Sequence, residues 1–514
     1  MRPEVVDAER AVACIEDGAT ISVGGAGAGH SIPEKVLVAL GARFAKTGTP
    51  RGLHVLHPCG VGDSAVRGLN HIAHEGLVAR AIGGFWGNGP QMTQLAMAEK
   101  IEAYNWPQGV LCHLMRAAAA KRPGVITTTG LHTFVDPRLE GGRINGSTTV
   151  NLNEVINLDG REYLFYRTQP IDVALIRGTS VDKEGNLTAE GEVGTFSMLS
   201  MAQAARNNGG KVIAQVKHID DGRHADPCTV KVPAALIDYI VVDPEQQMTF
   251  LTDFDPALVK RDAPLDDDQP LEGARKIASR RAALELRAGA YVNVGYGVAD
   301  GVPQVAQTEG LLDQIVFLIE QGAIGGIPTT GLNFGAMFNP AAIIDDGYQF
   351  DFFHGGGLDL AFLGFAQIDR HGNVNSSRFG KHLTGCGGFV DISQHARKVV
   401  FCGAFAVKGD FEIQPGRLQI NHPGKMAKFV NDVQQVTFSG RYGLEKSQQV
   451  MYVTERAVFG LTEEGLELRE LAPGVDLQRD VLALMDFKPI IPEKIAIMRP
   501  DIFGDGPLGK ELDW

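Results

Sequence analysis

The chain has 514 residues, more than one ordinary hydrophobic core holds, so at least two domains are expected. Hydrophobic residues make up 44% and charged residues 21%, which excludes a disordered or fibrous chain. The net charge of -13 shows no basic footprint for nucleic acid, and an anionic substrate would have to be met by local lysines or backbone N–H groups.

The N-terminal stretch MRPEVVDAERAVACIEDGA is charged and lacks a secretory apolar core. No uninterrupted apolar run approaches the roughly 20 residues of a membrane span. The cysteines (Cys14, Cys59, Cys112, Cys228, Cys386 and Cys402) have no CxxC or zinc spacing, and the 14 histidines have no metal-ligand spacing. A cytoplasmic protein with reduced thiols and no metal is the expectation.

The first predicted strand, Thr20-Ile21-Ser22-Val23, runs into the glycine turn Gly24 to Gly29, and a helix from Pro33 to Leu40 follows. A dinucleotide-binding pattern can be forced onto these glycines. No acidic residue ends a second strand about 20 residues on, so a structural turn is the better reading. Further on, Val173-Ala174-Leu175-Ile176 reads as a buried strand, Val181-Asp182-Lys183-Glu184-Gly185-Asn186-Leu187 as a turn, and Met198 to Asn207 as a helix. Lys211-Val212-Ile213 follows as another apolar run.

The second half repeats this order. A helical segment, Ala274 to Leu286, precedes Ala290-Tyr291-Val292-Asn293-Val294, which enters the turn Gly295-Tyr296-Gly297. Leu360-Ala361-Phe362-Leu363 reads as a buried strand, Ile368-Asp369-Arg370-His371-Gly372-Asn373-Val374 as the matching turn, and Lys398-Val399-Val400 as the matching run. The spacing from Asn186 to Lys211 equals that from Asn373 to Lys398, so the chain is read as an internal duplication. Alternating strands and helices predict two similar open α/β domains with largely parallel sheets, fused in one chain. Asp253 to Asp268, with Pro256, Pro264 and three consecutive aspartates, is read as the linker. The expected domains are therefore 1–264 and 265–514.

In Ile315-Val316-Phe317-Leu318-Ile319-Glu320-Gln321-Gly322-Ala323-Ile324-Gly325-Gly326, five apolar residues predict a strand buried on both faces, ending on one carboxylate before a flexible glycine-rich loop. Ligands of open α/β sheets bind beyond the carboxyl ends of the strands. Glutamates are mostly solvent-exposed, so these residues alone leave Glu320 open between a solvent-facing strand end and an active-site group.

The segment Glu320-Gln321-Gly322-Ala323-Ile324-Gly325-Gly326 resembles the catalytic signature of family I coenzyme A transferases, and nearest it are the single-chain propionate or acetate type. Tyr348-Gln349-Phe350-Asp351-Phe352, Gly355-Gly356-Gly357-Leu358-Asp359-Leu360, Gly372-Asn373-Val374-Asn375 and Gly385-Cys386-Gly387-Gly388-Phe389 are further matching blocks, and the similarity covers nearly the whole chain. The resemblance implies ping-pong transfer of CoA from an acyl-CoA to a short-chain carboxylate through a glutamyl-CoA thioester on Glu320. It makes Gln108 and the Gly388 backbone N–H the activating donors, and it assigns Gly295, Gly297, Gly387 and Lys408 to CoA binding. It also implies a homo-oligomer with no cofactor, CoA being a substrate. The rivals are a CoA-ester hydrolase on the same fold, which must admit water, and a non-catalytic ligand-binding relative, against which the retained Glu320 loop argues.

Overall fold

The computed structural model describes residues 2–265 and 270–512, so the aspartate run 266–268 of the expected linker lies outside the described residues. Two eight-stranded sheets organise the chain, one in each half. The first has the spatial order Glu4–Val6, Tyr239–Val242, Lys211–Val216, Val173–Arg177, Thr20–Val23, Leu53–His57, Val78–Gly83, Glu102–Asn105, and every pairing in it is parallel. Its strands alternate sides: Ala174 and Ile176 pack into one apolar cluster, Val173 and Leu175 into another on the opposite face. A parallel sheet covered on both faces needs this near-continuous apolar sequence.

The second sheet runs Val316–Phe317, Tyr291–Val294, Leu360–Gly364, Lys398–Cys402, Gln449–Val453, Ala457–Thr462, Gly465–Leu471, Ala496–Ile497. It is parallel as far as Gln449–Val453, and two antiparallel pairings and one parallel pairing complete it. The duplication is topological. Thr20–Val23, Val173–Arg177, Lys211–Val216 and Tyr239–Val242 are neighbours in the first sheet, as are Tyr291–Val294, Leu360–Gly364, Lys398–Cys402 and Gln449–Val453 in the second.

The repeated turns are built from the same bonds. Asp182 Oδ1 accepts the backbone N–H groups of Glu184 and Asn186, and Oδ2 accepts the Asn186 amide, all at 2.9 to 3.0 Å. Asp369 does the same with His371 and Asn373 over the same distances. An Asp bonding its own backbone two and four residues on explains why Asp, Gly and Asn recur at this spacing.

Three sequence expectations need correction. The strand before Glu320 is only Val316–Phe317, and it lies at the edge of its sheet. The chain then reverses: Ile319 N–H bonds Ala323 O, Gly322 N–H bonds Ile319 O, and Leu318 pairs with Ile324. Apolarity marked burial here; the turn bonds end the strand early. The following glycine loop is also ordered, because Ala323–Ile324 pairs with Ala342–Ile343 and Ile327–Pro328 with Met337–Phe338. The described part of the linker is likewise pinned. Leu258 is buried against Ala26, Phe196 and Met248, and Asn339 exchanges two side-chain bonds with the Ala263 backbone. Pro and Asp in this linker serve a capped turn, in which Asp255 accepts the Ala257 N–H.

Candidate active site

Loops leaving the carboxyl ends of strands in both sheets converge on one cleft, a cavity of about 330 Å³. From the first domain come Ala26 to Ala28 after Thr20–Val23, Cys59 after Leu53–His57, Phe85 after Val78–Gly83 and Gln108 after Glu102–Asn105. From the second come Gly295 after Tyr291–Val294, Gly364 at the end of its own strand, Glu320, and the loop Gly385 to Gly388. A larger groove of about 640 Å³ opens at the other end of the second sheet, beside Asp359, Leu360 and Lys398 where strands begin. It contains none of the residues expected from sequence. The carboxyl-end cleft is where this architecture places ligands.

Glu320 and Gln321 form the tip of the tight turn after Ile319. Gly322 closes that turn at φ 108°, and a Cβ there would lie 2.1 Å from Ile344 O, so only glycine fits. Gln321 Nε2 donates to Glu320 Oε1 at 3.0 Å, and the Gly388 N–H also bonds the carboxylate. Burial, reinforced by the negative charge of Asp391, pushes the Glu320 carboxyl up to about 7, although the Gln321 and Gly388 donors pull it down. An unperturbed glutamate near 4.3 would be fully ionised at neutral pH. In this cleft Glu320 holds its proton to higher pH than a free glutamate does.

Gln108 opens the helix Gln108–Ala119 and is 1% exposed. Its backbone N–H bonds Gly387 O at 2.9 Å across the domain boundary. Its side-chain Nε2 has no hydrogen-bond partner among the described residues, and the same holds for Gln321 Oε1 and Asn293 Oδ1. All three residues line the cleft. Buried polar atoms are nearly always satisfied, so three orphans around one cavity mark a place for a polar ligand.

Of the residues expected from sequence, Glu320, Gln108, Gly295, Gly387 and Gly388 share this cleft. Gly297 and Lys408 do not line it. Gly297 (φ 102°) starts the short helical turn Val298–Gly301, and Lys408 is exposed in the turn before Asp410–Gln414, with a left-handed backbone (φ 58°). Among the described residues no group of three or more His, Cys, Asp or Glu could hold a metal. No described helix is long and apolar enough to cross a membrane.

Sequence reading missed two buried acids near Glu320. Asp346 accepts from Ser197 Oγ at 2.6 Å, and burial beside Asp345 raises its carboxyl. Asp391 is fully buried and accepts from Gly109 N–H. The available signal was an acid between apolar residues, as in Val390-Asp391-Ile392.

The family model described as coenzyme A transferase matches residues 5–243. An acetate CoA-transferase of Escherichia coli strain K12, YdiF, is 44% identical over 512 residues, covering 99% of this chain and 96% of its own. The chain belongs to the coenzyme A transferase family. A caffeate CoA-transferase of Acetobacterium woodii is 42% identical over 512 residues, covering 97% of each. The crystal structure of the acyl-CoA transferase YdiF apoenzyme from Escherichia coli O157:H7 matches with a TM-score of 0.95 at 44% identity, covering 99% of this chain and 98% of that one. Its thioester complex with CoA matches at 0.94 and 43%, with the same coverage. The two-domain α/β architecture of this CoA-transferase is thus shared across its whole length.

Proposed function

We propose that this CoA-transferase moves CoA from an acyl-CoA to a short-chain carboxylate by a ping-pong reaction through a thioester on Glu320. The observation that carries the reading is the Glu320 carboxylate in a two-domain cleft, bonded by Gln321 and Gly388, with the unpartnered Gln108 Nε2 lining the same cleft. A Glu320 oxygen attacks the thioester carbonyl, forming an acyl-glutamyl anhydride and expelling CoA thiolate. The thiolate attacks the glutamyl carbonyl, which releases the donor acid and leaves CoA on Glu320. An acceptor carboxylate then attacks the glutamyl thioester and displaces CoA thiolate. That thiolate takes the acyl group from the new anhydride and frees Glu320. One thioester is exchanged for another, so the chemistry needs neither ATP nor a cofactor.

Glutamate is a poor nucleophile, and the barrier falls through positioning and preorganised donors. Gly388 and Gln108 are the proposed donors to developing oxyanions; Gly295 and Gly387 let CoA approach the backbone. Gly297 and the exposed Lys408 would serve the part of CoA outside the cavity. We also propose a cytoplasmic homo-oligomer, in keeping with the six free thiols.

Acyl-CoA supplied without acceptor is expected to release its acid and leave CoA on the peptide carrying Glu320, located by mass spectrometry. Borohydride should reduce that thioester and inactivate the enzyme, and prior addition of acceptor should protect it. Product formed only when both substrates are present, without adduct, would overturn the reading. An adduct lost to water as fast as to carboxylate would make the chain a hydrolase. The named relatives divide between a small aliphatic and an aromatic acid, so the acceptor panel should hold both kinds.

Gln108→Ala is expected to lower kcat/KM about 10²-fold, the usual size for one oxyanion donor. The loss should be greater in the carboxylate half-reaction. Equal losses in both half-reactions would place Gln108 at a shared oxyanion site.

A further inference from the structure

Asp391 is 0% exposed, yet neither the sequence nor the proposed chemistry gives it a task. Its carboxylate spans three elements. Oδ2 accepts the backbone N–H of Gly109 at 3.2 Å, from the first turn of the helix that begins with Gln108. Oδ1 lies 2.8 Å from His354 Nε2, at the end of the helix Asp346–His354. Asp391 itself sits three residues after Gly388, in the short helix Phe389–His395. The bond to Gly109 lies beside the one from Gln108 N–H to Gly387 O. Together they fix the helix bearing the Gln108 amide against the loop bearing the Gly388 N–H. A Cβ on Gly109 would fall 2.7 Å from Asp391 Oδ1 and 2.5 Å from Phe350 Cδ1, so the close approach requires glycine.

Two buried acids raise Glu320 by their charge, Asp391 first and Asp346 after it. Glu320, Cys386 and Tyr166 are each pushed up by the negative charge of Asp391, with burial the larger cause in all three. His354 is in direct contact with Asp391. The His354 ring lies against His113 at 5.0 Å and His395 at 4.9 Å. His395 is held well below its usual range by burial and then by His354. His113 is engaged with Asp351 at 3.0 Å.

We propose that Asp391 is a positioning residue for CoA transfer: its carboxylate, held by His354, ties the Gln108 helix to the Gly388 loop and turns a negative charge on Glu320. The proposal rests on Glu320 as nucleophile. Asp391→Asn keeps an oxygen for the Gly109 N–H and removes the negative charge, so Glu320 ionises more readily. His354→Gln keeps an amide donor for Asp391 and leaves its carboxylate in place, so Glu320 ionises as in the wild type.

The test follows the rate of CoA adduct formation against pH at subsaturating acyl-CoA, where the acid limb reports the free enzyme's essential base. Asp391→Asn should move that limb down by on the order of one pH unit, and His354→Gln should leave it in place. A merely structural role lowers the plateau or the thermal midpoint and leaves the limb in place. A lowered limb in Asp391→Asn beside an unmoved one in His354→Gln supports the inference; any other pattern overturns it. Should Asp391→Asn fail to fold, Asp391→Ser serves as the second arm. It also removes the negative charge and must move the limb down. A wild-type enzyme that forms no adduct on Glu320 signals failure of the nucleophile assignment instead, and adduct with an unmoved limb in Asp391→Asn signals failure of the Asp391 role alone.

Discussion

Glu320→Gln is expected to lose transfer by about 10⁴-fold or more and to gain more thermal stability at pH 8 than at pH 5. The activity loss follows from removing the nucleophile on which both half-reactions depend. The stability gain follows from its carboxyl, which stands near 4.3 in an unfolded chain and is raised to about 7 in the fold, chiefly by burial and then by Asp391. Between those values the native state holds a proton that the unfolded chain has lost, so stability falls as pH rises. Above about 7 the full cost of the buried charge is present. The neutral glutamine escapes it. Glutamine also points an amide at one of the two donors, Gln321 or Gly388, a cost that does not change with pH. Melting temperatures of both proteins at the two pH values isolate the titrating part. A difference that is equal at pH 5 and pH 8 would mean that Glu320 is not raised, and a variant retaining activity within tenfold would remove it as the nucleophile. A site that loses stability to hold its reactive group charged is a familiar compromise.

The sheets were legible because a strand buried on both faces must be apolar throughout and short. Val173–Arg177 and Leu360–Gly364 announce themselves that way, and the duplicated Asp-x-x-Gly-Asn turns fix their equivalence because each Asp bonds the same backbone groups. Glu320 was legible as a carboxylate after an apolar run, and its chemistry through resemblance. Its ionisation was not, because it depends on Asp391 and on burial by loops far away in sequence. Asp391 was invisible for the same reason: its partner Gly109 lies 282 residues distant and belongs to the other domain. The end of the strand Val316–Phe317 was also unreadable. Apolarity reports burial alike in a strand and in the turn that follows, and Leu318 and Ile319 are buried in the turn.

Gly388→Ala should lower kcat by about 10² to 10³-fold while leaving the protein folded. Gly388 has φ -86° and ψ 5°, a backbone conformation open to any residue, so its glycine is not required by the chain's own geometry. The requirement comes from the nucleophile: a Cβ at this position would lie 1.9 Å from Glu320 Oε2 and 3.2 Å from Phe350 Cζ. Either the carboxylate leaves the Gly388 N–H or the loop withdraws, and a displacement near 1 Å is enough to cost about 10²-fold. Loss of the donor to the oxyanion adds to that. Gly387→Ala is the comparison, and any cost to CoA binding there is read in KM and not in kcat. A Cβ there meets Phe85 Cδ2 at 3.7 Å and Glu320 Oε1 at 3.9 Å, ordinary contacts, but its φ of 51° is left-handed and strains an alanine. The neighbouring substitutions should therefore divide: Gly387→Ala lowers the melting temperature more than it lowers kcat, and Gly388→Ala does the reverse. Single-turnover adduct formation and calorimetry on both variants read the two effects separately. If Gly388→Ala forms adduct within tenfold of the wild-type rate, Glu320 does not react from the position in which Gly388 holds it.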